Sequence, residues 1–273
     1  MKMKDYEIQI ANYQNHLQNE EHSPATIRQY QRDVLCFLAL LDTEELCRET
    51  VLRYKHALEQ KYRPISVNAK LSALNSFFSF IGRDDLKVKF LKIQKRAYCS
   101  ADKELSKGEY LRLVEAARDK KNEKLALLLQ TICGTGIRVS EVRFITAEAV
   151  IQLKGKTRTI LIPRRLQKCL KDYLRRKRIC SGPVFTTKSG QPLDRSNIWK
   201  MMKALCCDAG VDEKKVFPHN LRHLFARCFY SADKDIAKLA DILGHSSINT
   251  TRVYIITSGT EHRRQLDALG LVI

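Results

Sequence analysis

The chain has 273 residues, with 49 Lys and Arg against 30 Asp and Glu, and a formal net charge of +19. That length allows two domains with cores of their own, and no apolar run is long enough to span a bilayer. The excess charge, concentrated in residues 101–273, favours a polyanionic partner, because each neutralised phosphate releases a counterion; a solvated basic face is the plain alternative. The 9 cysteines are odd in number and form no C-x-x-C pair. Most sit at apolar-phase helical positions, which predicts reduced, core-filling thiols in a cytosolic protein and no zinc site. The N-terminus, Met1-Lys2-Met3-Lys4-Asp5-Tyr6, has no apolar signal region, so the expected location is cytoplasmic.

The first hundred residues read as a helical bundle. Ser23-Pro24 is a helix start, with Ser as N-cap and Pro at the first helical position. Ile27, Tyr30, Val34, Phe37, Leu38 and Leu41 then form one apolar stripe. A second helix is expected from about Thr43 to Gln60, and a third after Pro64, lined by Val67, Leu71, Leu74, Phe77, Phe78 and Ile81 and stopped by Gly82. Residues 87–103 read as a basic linker without clear period, a strap for a duplex backbone or a plain tether.

The second domain opens on Ser106-Lys107-Gly108-Glu109, a capping box. Leu125 to Cys133 is nearly all apolar, so its helix is expected to be central. It ends at Gly134-Thr135-Gly136, leading into Ile137-Arg138, with a further helix near Ser140-Glu141. Ala149–Leu153 and Arg158–Ile162 are β-like around Lys154-Gly155-Lys156-Thr157, a candidate hairpin. Helical pattern resumes at Leu166–Ile179, Asp194–Ala209, from Phe217 through Phe229, and at Asp235–Leu243. The expected fold is mainly α: a helical bundle over residues 1–97, then a mostly helical domain over 98–273 with a small antiparallel β-sheet.

Tyr254 follows a helix stop at Gly244 and a histidine at 245. A phenol with a pKa of roughly 10 is a poor nucleophile unaided. Its attack on a phosphodiester needs proton removal, neutralisation of the charge gathering on the non-bridging oxygens, and protonation of the leaving oxygen. Arginine's planar, permanently charged fork suits the second task, and histidine the first. A hairpin lysine suits the third. Two arginines on the phosphate remove the need for a divalent metal, and no cofactor is expected. The chain offers Arg138, Lys154, His219, Arg222, His245 and Tyr254 in that order, with His219 and Arg222 on one helix face. Taken singly, Arg138 also reads as a surface residue at a helix start, His219 and Arg222 as an ordinary first turn, His245 as a cap and Tyr254 as a core aromatic. Their joint order shifts the balance.

Thr135-Gly136-Ile137-Arg138-Val139-Ser140-Glu141, the box His219-Asn220-Leu221-Arg222-His223 and the stretch from Leu243 to Tyr254 resemble the signature segments of tyrosine recombinases, the phage-integrase and Xer-type site-specific recombinases. The resemblance covers roughly residues 103–260. The N-terminal bundle, with Leu71–Phe78, resembles the family's core-binding, SAM-like domain more weakly. The resemblance implies a DNA strand-exchange enzyme that acts in integration or excision of a mobile element or in replicon resolution. Tyr254 would form a 3′-phosphotyrosyl link, Arg138 and Arg222 would clamp the phosphate, and His219 would assist proton transfer. His245 would hydrogen-bond the phosphate, and Glu141 would help hold the site together. The hairpin lysine would protonate the 5′-oxygen; Lys154 is preferred and Lys156 is the alternative, because the hairpin is one residue shorter than the family's usual form. Implied partners are double-stranded DNA and further copies of the chain, a homo-tetramer on paired sites. The tail beyond Tyr254, with a short helix expected at Glu261–Leu269, would pack into a neighbouring protomer or onto its own domain. The bundle starts close to residue 1, so an extra arm-type DNA-binding domain is not expected; that form suits a simple two-domain recombinase, and mobile-element enzymes also take it. A type IB topoisomerase-like relaxing enzyme and a catalytically inactive DNA-binding regulator are the alternatives.

Overall fold

The computed structural model describes residues 3–41, 46–93, 104–152 and 160–255. The chain divides into two compact units, Met1–Lys95 and Arg96–Ile273, and both are helical. No described helix is long and apolar enough to cross a membrane.

The first unit contains α1 (Met3–Asn19), α2 (Pro24–Leu38), α3 (Arg48–Lys61) and α4 (Pro64–Phe80). The sequence pattern placed no helix at α1, which is held by tertiary contacts. Its Tyr13 and Leu17 are fully buried, and the Tyr13 hydroxyl meets Ser76 Oγ on α4 at 2.9 Å. Ser23 caps α2 by accepting from Thr26 N at 3.2 Å, and Pro24 opens the helix without wasting an N–H. The helix expected from Thr43 begins at Arg48; positions 43–45 lie outside the described residues. α4 buries Val67, Leu71, Leu74, Phe77 and Phe78, and Gly82 stops it in the left-handed region, φ 69°. Asp33 is fully buried and is neutralised by Lys70 Nζ at 2.7 Å.

The start of the expected linker is pinned to this unit. Asn75 exchanges two hydrogen bonds with the backbone of Val88, at 2.9 and 3.0 Å. Asn68 does the same with Leu91, at 3.0 and 2.8 Å. Two turns apart on α4, the asparagines satisfy an extended segment as a neighbouring strand would.

The second unit contains α5 (Lys107–Asp119), α6 (Glu123–Thr135), α7 (Ala147–Gln152), α8 (Arg164–Lys177), α9 (Arg195–Lys203), α10 (Pro218–Asp233), α11 (Ile236–Leu243) and α12 (Ile248–Ile255). Ser106 and Glu109 form the expected capping box on α5. α6 is central, as its apolar run demands, packing against α5, α8 and α10. The helix expected at Ser140-Glu141 is a short 3-10 helix, Val139–Phe144.

Two expectations need correction. Residues 149–152 are the end of α7, not a strand. Thr146 accepts from Ala149 N through its hydroxyl at 3.2 Å, and Ala147 and Val150, spaced i,i+3, are both fully buried. This local cap and helical spacing override the β-propensity of a short apolar run. The hairpin tip, with Lys154 and Lys156, lies outside the described residues. Ile160–Ile162 form no strand, and only isolated bridges occur among the described residues, Thr146 with Pro183 and Thr186 with Pro192. The cysteines are only partly core-filling: among those described, Cys206 is buried and Cys133 and Cys169 pack half-buried against the core, whereas Cys36, Cys180, Cys207 and Cys228 are exposed free thiols. Cys36 falls beside the Val34–Phe37 stripe and not within it.

Replacing Asn75 by Ala removes both bonds to Val88. Urea unfolding is expected to show a loss of about 2 kcal/mol; a change within error would show that the pinned segment adds nothing to the bundle.

Candidate active site

Two helix endings and one helix start build the site. α6 ends at Gly136 with φ 64°. A Cβ there would meet the Phe225 ring at 2.4 Å and Leu243 Cδ2 at 2.9 Å. Glycine thus answers both the backbone geometry and the close approach of α10 and α11. The Gly136 carbonyl accepts from Arg222 Nη1 at 2.6 Å. Two residues on, Arg138 N donates to Glu141 Oε2 at 2.8 Å. The Arg138 guanidinium pairs with Glu141 Oε1 at 3.2 Å and reaches the Gly244 carbonyl at 3.4 Å.

α10 begins at Pro218, so His219 lies in its first turn and Arg222 one turn further on. Asn220 fixes the entry by donating to the Lys215 carbonyl at 2.7 Å. Arg222 is 2% exposed. Burial pushes its guanidinium below its ordinary pKa, and hydrogen bonding with Tyr254 opposes that shift.

α11 ends at Gly244, φ 61°. His245 N is tied back to the Ala240 carbonyl at 3.0 Å, and Gly244 N to the Asp241 carbonyl at 3.0 Å. This closure aims the Leu243 carbonyl at Arg222 Nη2, 2.9 Å, and brings His245 Nε2 to the same nitrogen, 2.8 Å. A guanidinium only donates, so Nε2 is the acceptor and the proton sits on Nδ1. Nδ1 faces the hydroxyl of the buried Thr251 at 2.8 Å, which accepts it.

One helical turn after Thr251 comes Tyr254, 7% exposed. Its ring packs with Ala226, Leu239 and Leu243 and is ringed by imidazoles. His223 lies closest, at 4.3 Å between ring centres. His245 stacks nearly parallel at 5.5 Å, His219 stands at 5.6 Å, and the Arg222 guanidinium is 6.0 Å away. Burial first, then Arg222 and Arg195, lowers the His219 pKa. Burial first, then His219, Arg227 and Arg222, brings His223 down to about 4. Both rings are neutral at neutral pH, and positive charge is left to the arginines.

The structure therefore brings together Arg138, His219, Arg222, His245 and Tyr254 with Glu141, while Lys154 and Lys156 lie outside the described residues. His223 and Thr251 were not among the expected site residues. His223 is one turn beyond His219, and Thr251 one turn before Tyr254; that spacing was the signal for both. Among the described residues no cluster of His, Cys, Asp or Glu has a metal-holding arrangement.

Residues 103–260 match the Phage integrase family, and residues 10–84 match its N-terminal SAM-like domain. The chain belongs to the phage integrase family. The chain is 31% identical to tyrosine recombinase XerA of Pyrococcus furiosus, over 96% of the chain and 94% of the relative. It is 29% identical to tyrosine recombinase XerD of Halalkalibacterium halodurans, over 91% and 93%. It shares its fold with a lambda integrase tetramer bound to a Holliday junction, with a TM-score of 0.68 and 14% identity, over 91% of this chain and 76% of that one.

Gly136→Ala is expected to cost about 3 kcal/mol, from overpacking against Phe225 and a left-handed backbone, measured by urea unfolding; a loss under about 1 kcal/mol would show that the close approach relaxes freely. His223 gives a pH test. The unfolded chain binds its proton below about pH 6.5, the folded chain only near pH 4. Between these values the unfolded state holds more protons, so stability rises with pH and is lost toward acid. Unfolding from neutral pH down to about pH 4 is expected to show a shallower acid loss in His223→Gln than in the wild type, and equal slopes would contradict a buried neutral ring.

Proposed function

We infer that the protein is a site-specific DNA recombinase that cuts and rejoins strands through a 3′-phosphotyrosyl intermediate. The observation that carries this reading is the convergence on Tyr254. Residues separated by more than a hundred positions, from Arg138 to Tyr254, meet at the ends of α6, α10, α11 and α12, with Arg222 hydrogen-bonded to His245. The Tyr254 oxygen attacks phosphorus as the bond to the 5′-oxygen breaks. His219, neutral at the working pH, accepts the phenol proton. Arg138 and Arg222 hold the non-bridging oxygens, and His245 adds a hydrogen bond. Lys154, or Lys156 in its place, supplies the proton to the leaving 5′-oxygen. The phosphotyrosyl ester keeps the bond energy, so a 5′-hydroxyl from a partner strand reverses the step without ATP.

Residues 1–97 hold duplex DNA and residues 98–273 carry the chemistry, with four protomers on paired sites and the tail beyond Tyr254 packed into a neighbour. The tetrameric lambda integrase, a fold relative, supports the assembly. Similarity to named recombinases along nearly the full chain weighs against a relaxation-only enzyme. The converged set weighs against a catalytically silent regulator.

A nicked suicide duplex carrying the target site tests the chemistry. Wild type is expected to accumulate a covalent protein–DNA adduct, and Tyr254→Phe to bind the same duplex with none. An adduct persisting in Tyr254→Phe would remove Tyr254 as nucleophile. Loss of cleavage is expected in Lys154→Ala or Lys156→Ala; retention in both would remove the hairpin lysine.

A further inference from the structure

α8 carries charge in a pattern that its own folding does not explain. Leu166, Leu170, Tyr173 and Leu174 are its buried side. Arg164, Lys168, Lys171 and Arg175 repeat at i, i+4, i+7 and i+11 on the opposite side, a row about 16 Å long at 1.5 Å rise per residue. Like charges at these spacings repel one another. The row also begins in the first turn, which contains no acidic residue and where the helix dipole disfavours cations. Elsewhere in the same unit cations find carboxylates: Lys120 with Asp208 at 2.6 Å, Lys215 with Glu109 at 3.0 Å, and Arg227 with Glu104. Along this row the sole ion pair among the described residues is Arg175 with Asp172, at 3.7 Å.

We propose that the outer row of α8 is a second, sequence-independent DNA contact, separate from the cluster around Tyr254, that binds backbone phosphates of the duplex. This rests on the reading that the protein's ligand is duplex DNA. DNA presents one negative charge per about 1.7 Å, so a 16 Å row of cations (again about 1.5 Å per residue) finds phosphates in any register. An acidic protein segment would need its carboxylates matched to the row.

The test is a variant with Arg164→Gln, Lys168→Gln, Lys171→Gln and Arg175→Gln, bound to a fluorescent random-sequence duplex over a series of KCl concentrations. The slope of log affinity against log salt is expected to fall in magnitude by about 3.6, since each of the four lost phosphate contacts removes about 0.9. A companion with Arg164→Lys and Arg175→Lys keeps the charge and should keep the wild-type slope. An unchanged slope in the Gln variant overturns the proposal. So does an equal drop in the charge-keeping variant, which would report altered folding. The Gln variant should still form the Tyr254 adduct on the suicide duplex at saturating protein. Absence of an adduct in the wild type would defeat the recombinase reading and leave the slope result standing.

Discussion

A buried guanidinium organises the second unit. Removing a charge from water is costly unless it is hydrogen-bonded and paired. Arg222 meets that cost with two carbonyls that helix endings turn toward it, those of Gly136 and Leu243, and with His245 Nε2. Its Nε, also buried, has no hydrogen-bond partner among the described residues. Each of the three contacts comes from a termination: α6 at Gly136, α11 at Leu243, and the residue following Gly244. The glycines serve Arg222 as much as they serve the backbone, because a side chain at Gly136 would strike Phe225 and Leu243 and part the helices that supply those carbonyls.

The arrangement also explains how Tyr254 is held. α12 is short and contributes little helical stability of its own. Thr251 fastens it through His245 Nδ1, and the Tyr254 ring fastens it through the three imidazoles and the small cluster with Leu239 and Leu243. In this state His245 accepts from Arg222. To donate to a phosphate oxygen in the proposed reaction, it must carry a proton on Nε2. Phosphate binding, the His245 proton and the Thr251 contact on the tyrosine's helix are therefore coupled, and preorganised donors in a dry site act strongly on developing charge.

Much of this was legible in the sequence where a local rule has a single outcome. Ser23-Pro24, the Ser106 and Glu109 capping box, Gly82, and the apolar run that makes α6 central all follow from capping, left-handed backbone and periodicity. Gly136, Arg138, His219, Arg222, His245 and Tyr254 were readable as a set because of their order and their resemblance to a family. What was not legible depends on distant partners. α1 rests on Tyr13 reaching α4. The 87–91 segment looked structureless because its hydrogen bonds go to asparagines on a helix. Residues 149–152 satisfy either a strand or a helix, and Thr146 together with core burial decides for the helix. The exposure of Cys36 reflects a position beside a buried stripe. His223 sat within the recognised box, yet its place against Tyr254 emerges only when α10 and α12 meet.

Arg222→Lys most directly tests whether Arg222 is both the structural hub and a phosphate ligand. Lysine keeps the charge but cannot serve Gly136, Leu243 and His245 from a planar fork. Urea unfolding and adduct formation on the suicide duplex, measured on one preparation, are expected to fall together, stability by about 3 kcal/mol. Full stability with only the adduct lost would contradict the hub and leave Arg222 a phosphate ligand alone.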